Sequence, residues 1–101
     1  LRNMIAKSEL AAADYYITID AYVAAIRRAN YVIENIPNST ENYRALKILE
    51  LCYEALGYSD LLNDVRVVIN INYPDEESRQ PSRQRTWSWN FLNNSKPRPN
   101  N

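Results

Sequence analysis

The sequence predicts an all-α fold in which two helical hairpins form a fragment of an α-solenoid, followed by an irregular basic C-terminal tail. Three observations carry that reading. Across residues 1–74 apolar side chains recur at steps of three and four, the period that lines one face of an α-helix. Two aromatic-to-proline blocks repeat: Tyr16 lies 21 residues before Pro37, Tyr53 lies 21 residues before Pro74, and the blocks are offset by 37. Composition then breaks at Pro74, because residues 1–74 hold seven Lys/Arg against nine Asp/Glu and residues 75–101 hold five against three.

The first helix is expected over about 2–18, from the stripe Met4, Ile5, Ser8, Ala12, Tyr15, Tyr16 and Ile19. The second, about 21–36, has the clearest period, in Tyr22, Ala25, Ile26, Ala29, Val32, Ile33 and Ile36. Asp20 is placed to cap it by accepting a backbone N–H, and Pro37, which lacks an N–H and disfavours helix in the preceding residue, stops it. A third helix over about 41–56 uses Ala45, Leu46, Leu49, Tyr53 and Leu56, and Gly57 can take the left-handed conformation that closes it. Ser59 is placed to cap a fourth helix, about 60–71, with Leu61, Leu62, Val65, Val68 and Ile69 inward. The β-branched run from Val65 to Ile71 leaves a strand open as an alternative there.

The repeat extends beyond Tyr and Pro, since at the same offset Val32 matches Ile69, Asn35 matches Asn72, Ala12 matches Leu49 and Ala25 matches Leu62. A Tyr late in a first helix and a Pro just after a second is the spacing of the tetratricopeptide pattern. The period runs about three residues beyond that motif's usual ~34, and its Trp and Gly positions hold Glu9 and Ala13, then Leu46 and Glu50. Two generic amphipathic hairpins are the plainer alternative.

Composition removes most chemistry. Histidine is absent, and cysteine and glycine occur once each, as Cys52 and Gly57. An internal disulfide, a Cys/His zinc site, a Ser-His-Asp triad, a Walker loop and a dinucleotide glycine fingerprint are therefore out of reach of this chain. No run approaches the ~18 apolar residues of a membrane helix, and the opening Leu1-Arg2-Asn3-Met4 reads as the start of a piece cut from something longer. Glu9, Asp14 and Asp20 are carboxylates near the Tyr-rich region, but without a base partner or a pocket-forming turn they read as solvated charges or caps. No catalytic residue, metal ligand or cofactor is assigned.

The residues Tyr15-Tyr16, Ala21-Tyr22-Val23-Ala24-Ala25-Ile26 with Arg28, Pro37, Ala45-Leu46, Tyr53, Leu56-Gly57 and Asn72-Tyr73-Pro74 resemble the C-terminal tetratricopeptide repeats of the BamD family of outer-membrane assembly lipoproteins. The resemblance covers about residues 1–74. It implies a non-catalytic scaffold at the periplasmic face of the bacterial outer membrane, within the machine that inserts β-barrel proteins. Its C-terminal repeats would dock on a POTRA domain of BamA and meet accessory lipoproteins, with membrane association only through a lipidated N-terminus missing here. Asp20 departs from the family, which commonly has Gly in that turn, and the basic tail lies outside the resemblance. A free-standing tetratricopeptide adaptor that holds an extended peptide in its groove is the alternative.

Arg28 falls where the resemblance places a BamA-facing arginine, and a planar guanidinium suits bidentate pairing with a carboxylate. Arg27 lies next to it, and Val23 and Tyr31, each one position off the core stripe, can flank it and exclude water. A solvated basic pair is the ordinary alternative for such residues. The domain boundary is set at 74, with residues 75–101 as a tail. There Trp87-Ser88-Trp89-Asn90-Phe91 alternates strictly, so an extended chain would show three aromatics on one side. Five cations with three aromatics also suit single-stranded nucleic acid, yet the folded part is slightly acidic and the charge density low. The favoured reading is therefore a protein-docking anchor and no nucleic-acid partner.

Overall fold

The computed structural model describes residues 2–79. They form five helices: α1 (Arg2–Thr18), α2 (Tyr22–Asn35), α3 (Asn42–Leu56), α4 (Ser59–Asn72) and the short α5 (Pro74–Arg79). Consecutive helices pack on one another, α3 also reaches α1, and α5 lies against α4. This is the all-α, tetratricopeptide-like arrangement of two hairpins. The run 65–71 is helix, so the strand alternative is rejected: an apolar residue at every fourth position, Val65 and Ile69, meets α3, and that burial outweighs β-branching.

The two hairpins close with the same hydrogen-bonded turn. At the end of α1 the Ala21 N–H bonds to the Tyr16 carbonyl at 2.8 Å and the Asp20 N–H to that of Ile17 at 3.0 Å. At the end of α3, 37 residues on, the Tyr58 N–H bonds to the Tyr53 carbonyl at 2.9 Å and the Gly57 N–H to that of Glu54 at 3.3 Å. Both are Schellman motifs, and each places one residue in the left-handed region: Asp20 at φ 60° and Gly57 at φ 77°. Asp is among the few non-glycine residues that tolerate that conformation.

That geometry corrects the expected caps. Asp20 does not cap α2, because it belongs to the turn, where its carboxylate accepts from the Tyr22 hydroxyl at 3.1 Å. The capping position is Ala21, with no side-chain bond. Ser59 likewise is the first residue of α4, and Tyr58 precedes it without a side-chain cap. Pro37 and Pro74 follow the second helix of each hairpin as read from sequence. Pro74 also opens α5, a position suited to proline because the first helical N–H has no partner to lose. Helix thus continues to Arg79, five residues past the boundary placed at Pro74.

The core is one cluster. α3 is its centre, with Ala45, Leu46, Ile48, Leu49, Leu51, Cys52 and Tyr53 buried. α2 contributes Ala25, Ala29 and Val32, and Ile36 follows it, as its period indicated. Leu56 is only half-buried. α1 is a helix where expected but turned: its buried line is Ala6, Leu10, Ala13 and Ile17, while Met4, Ile5, Tyr15 and Ile19 of the expected stripe face outward. α4 buries Val65 and Ile69, leaving Leu61 and Val68, expected inward, exposed. Small residues let α1 and α2 approach closely at Ala6, Ala13, Ala25 and Ala29, which is why the less hydrophobic side of α1 is the one inside.

Candidate partner-binding face

Val23, Arg27 and Tyr31 are spaced by four on α2, so side chains one above another share a face. That face points away from the Ala25, Ala29 and Val32 line that packs on α1 and α3. Val23 is 51% and Tyr31 45% exposed, with Arg27 open between them. An aliphatic group, a guanidinium and a phenol in one exposed row form an amphipathic strip suited to binding protein: Arg and Tyr supply large contact area with polar tips.

Arg28 is set apart from that strip. It lies on the flank of α2 turned to α1, where its Nη1 donates to Glu9 Oε1 at 2.9 Å, and its guanidinium carbon stands 6.0 Å from the centre of the Tyr16 ring. The hydrogen bond to Glu9, then the contact with Tyr16, raise the Arg28 pKa further, favouring the charged form. The side chain keeps 43% of its surface, so the guanidinium is oriented by α1 with part of its edge open to solvent. Val23, Arg27 and Tyr31 are therefore brought together, and Arg28 borders them with an internal carboxylate already bound. Glu9 escaped the sequence reading, which treated it as a solvated charge; only the packing of α1 on α2 brings residues 9 and 28 together.

Other polar groups that sequence alone left isolated turn out to tie the helices together. Asp14 pairs with Arg44, which also reaches Glu41 at 3.6 Å. Glu50 links Lys47 at 2.8 Å and Arg66 at 3.0 Å, joining α3 to α4. Glu77 of α5 accepts from the Tyr43 hydroxyl at 2.7 Å and from Lys47 at 3.2 Å, pinning α5 onto α3. Burial first, then the Glu77 hydrogen bond, push the Tyr43 phenol well above its ordinary value of 10.0. Ser39 is buried in the α2–α3 loop, donating to Asn3 Oδ1 at 2.9 Å and accepting the Glu41 N–H at 3.0 Å, so the loop is bound to the start of α1. Trp87, Trp89 and Phe91 lie outside the described residues.

Two hairpins closed by repeated turns, with an open amphipathic strip on one helix, define a tetratricopeptide-like repeat protein. The chain belongs to the YfiO family of outer membrane lipoproteins, which it matches over residues 1–68. It is similar to proteins named outer membrane protein assembly factor BamD. That of Xylella fastidiosa (strain 9a5c) is 40% identical over 75 residues, 74% of this chain and 26% of the relative. That of Neisseria meningitidis serogroup A (strain DSM 15465 / Z2491) is 36% identical over 74 residues, 73% of this chain and 28% of the relative. That of Vibrio cholerae is 29% identical over 72 residues, 71% and 30%. The chain thus spans less than a third of the length of these relatives. No solved structure matches it significantly.

Proposed function

We propose that this chain is the C-terminal repeat region of a BamD-like lipoprotein that serves, without catalysis, as a scaffold in outer-membrane protein assembly at the periplasmic face of that membrane. The observation that carries the reading is the exposed Val23, Arg27 and Tyr31 strip, bordered by Arg28, within the segment matched to the family. In this reading the strip docks on a POTRA domain of BamA, with accessory lipoproteins as further partners. Arg28, oriented by Glu9, offers its open edge to a partner carboxylate. The exposed apolar side of α1, Met4, Ile5, Tyr15 and Ile19, is where a further hairpin stacks, since each solenoid repeat covers its neighbour.

The test is co-purification with a BamA POTRA protein. Arg28→Glu, or Arg27→Glu with Tyr31→Ala, weakens capture while helicity stays intact, because reversing a charge at a desolvated contact leaves the partner carboxylate unpaired, a loss of roughly 2–5 kcal/mol. Glu9→Gln frees the guanidinium without touching the strip and leaves capture within a few fold of the parent. Undiminished capture by both Arg28→Glu and the Arg27→Glu, Tyr31→Ala variant sinks the docking surface. Capture of extended peptides in place of a POTRA domain favours the free-standing adaptor.

A further inference from the structure

α4 carries a second open face, and its chemistry matches the alternating aromatic segment Trp87-Ser88-Trp89-Asn90-Phe91. Leu61 and Val68 lie two turns apart on one line of the helix, Ile71 follows a turn later and Val67 sits beside them. Their exposures are 46%, 40%, 72% and 55%. Asp64 stands between Leu61 and Val68, and Asp60 precedes them, both exposed. The one cation of α4, Arg66, is drawn off to Glu50 at 3.0 Å. The face is therefore apolar toward the C-terminal end of α4, with Asp60 and Asp64 set within its N-terminal half, and exposed apolar patches mark binding sites.

We infer that this face of α4 is covered by the chain's own residues 87–91, with Trp87, Trp89 and Phe91 set on Leu61, Val68 and Ile71. Three further observations support that occupant. Every charge after Glu77 is positive, including Arg83 and Arg85 just before Trp87 and Lys96 after Phe91, which complements Asp60 and Asp64. The reach is sufficient: α5 is pinned to α3 through Glu77 and lies against α4. The eight residues from Arg79 to Trp87 span up to roughly 26–29 Å, against about 21 Å for the 14 residues of α4. Tethering also raises the local concentration of the segment to about the millimolar range, so modest burial suffices.

Both tryptophans of the chain are in this segment, so tryptophan fluorescence of the 101-residue chain reads its environment alone. The expected result, at a temperature where helicity is complete, is a blue-shifted emission protected from a soluble quencher and independent of protein concentration. Val68→Asp and Ile71→Asp, at exposed positions, restore a water-like emission and raise quenching several fold, whereas Val23→Asp on α2 does neither. Arg83→Glu with Arg85→Glu, outside the core altogether, weakens the protection and keeps the inference testable if an α4 variant loses helicity. A water-like emission from the monomeric folded parent overturns it. So does protection that grows with protein concentration, that survives every α4 and tail substitution, or that arises only with a POTRA protein or a single-stranded oligonucleotide.

Discussion

α1 and α3 are the first helices of two repeats 37 residues apart, their hairpins close with the same turn, and yet they bury different faces. Ala45, Leu49, Cys52 and Tyr53 of α3 are buried. Their repeat equivalents on α1 are Ser8, Ala12, Tyr15 and Tyr16, of which Ser8 and Tyr15 are exposed and the other two half-buried. The difference lies in the neighbours: α3 has α2 on one side and α4 on the other, whereas α1 packs chiefly on α2. An apolar stripe states which side chains leave water at a gain; a second helix must be present to take them. The same rule explains α4, whose exposed Leu61, Val68 and Ile71 have no described helix over them.

The sharpest way to break this comparison is at the repeated tyrosine. Tyr53→Ala removes a buried ring from between helices and costs about 3–5 kcal/mol, comparable to the whole stability of so small a domain. Tyr16→Ala, at the half-buried equivalent, costs less, about 1–3 kcal/mol. Urea melts followed by circular dichroism measure both; equal costs remove the distinction between the repeats, and melting within a few degrees of the parent by Tyr53→Ala removes the core itself.

The next pair is Cys52 and Tyr15. Cys52→Ser sets an unpartnered hydroxyl in the core and costs about 1–3 kcal/mol, while Tyr15→Ser stays within about 0.5 kcal/mol of the parent. Burial pushes the Cys52 thiol up to about 12, so in the folded chain it resists alkylation at neutral pH and reacts at the rate of global unfolding. Rapid labelling of the native chain contradicts that placement.

The two turns offer a gentler contrast. No atom crowds the position a Cβ would take at Gly57, so the cost of Gly57→Ala is that of the left-handed backbone, about 1–2 kcal/mol. Asp20→Gly changes stability by less than about 1 kcal/mol, since relief of that strain is offset by the greater freedom of glycine in the unfolded chain. A large loss in the second variant would mean that the Asp20 side chain, not the backbone, holds the first turn.

A small effect is expected where α5 joins the second repeat. Tyr43→Phe removes the hydrogen bond to Glu77 and costs about 1 kcal/mol at neutral pH. Because folding raises the phenol's pKa above its ordinary 10.0, the neutral form's contribution is full below pH 10 and is lost as pH climbs from there toward the folded value. The parent therefore loses more stability than Tyr43→Phe between pH 9 and pH 11. Identical alkaline melts of the two would separate Tyr43 from Glu77.

Helix spans were legible from the sequence because apolar period, proline and glycine act locally, and the observed spans agree to within a residue or two. The repeat was legible too: the 37-residue offset that aligned Tyr16 with Tyr53 also aligns Asp20 with Gly57, Asn35 with Asn72 and the turn hydrogen bonds. Val23, Arg27 and Tyr31 could be placed off the strong apolar line of α2, but the sequence grouped Val23 and Tyr31 around Arg28; the helix aligns them with Arg27, and Arg28 turns to Glu9. The capping roles given to Asp20 and Ser59 were misread because a polar residue before a helix signals a turn without saying which atom of it bonds.

Sequence by itself thus determined the four helices of the two hairpins, the places where they stop and the repeat that relates them, but not α5, which follows Pro74 where the sequence read an irregular tail. Tertiary structure alone decided which side of α1 and α4 is inside, that Arg28 is bound to Glu9 across 19 positions, and that Glu77 fastens α5 to Tyr43 and Lys47. The division has a physical cause. Backbone conformation at a turn or helix end is set within a few residues along the chain, whereas burial and ion pairing depend on which surfaces distant segments present to one another. In α1 close approach through alanines wins over the larger side chains, a choice that exists only once α2 is beside it.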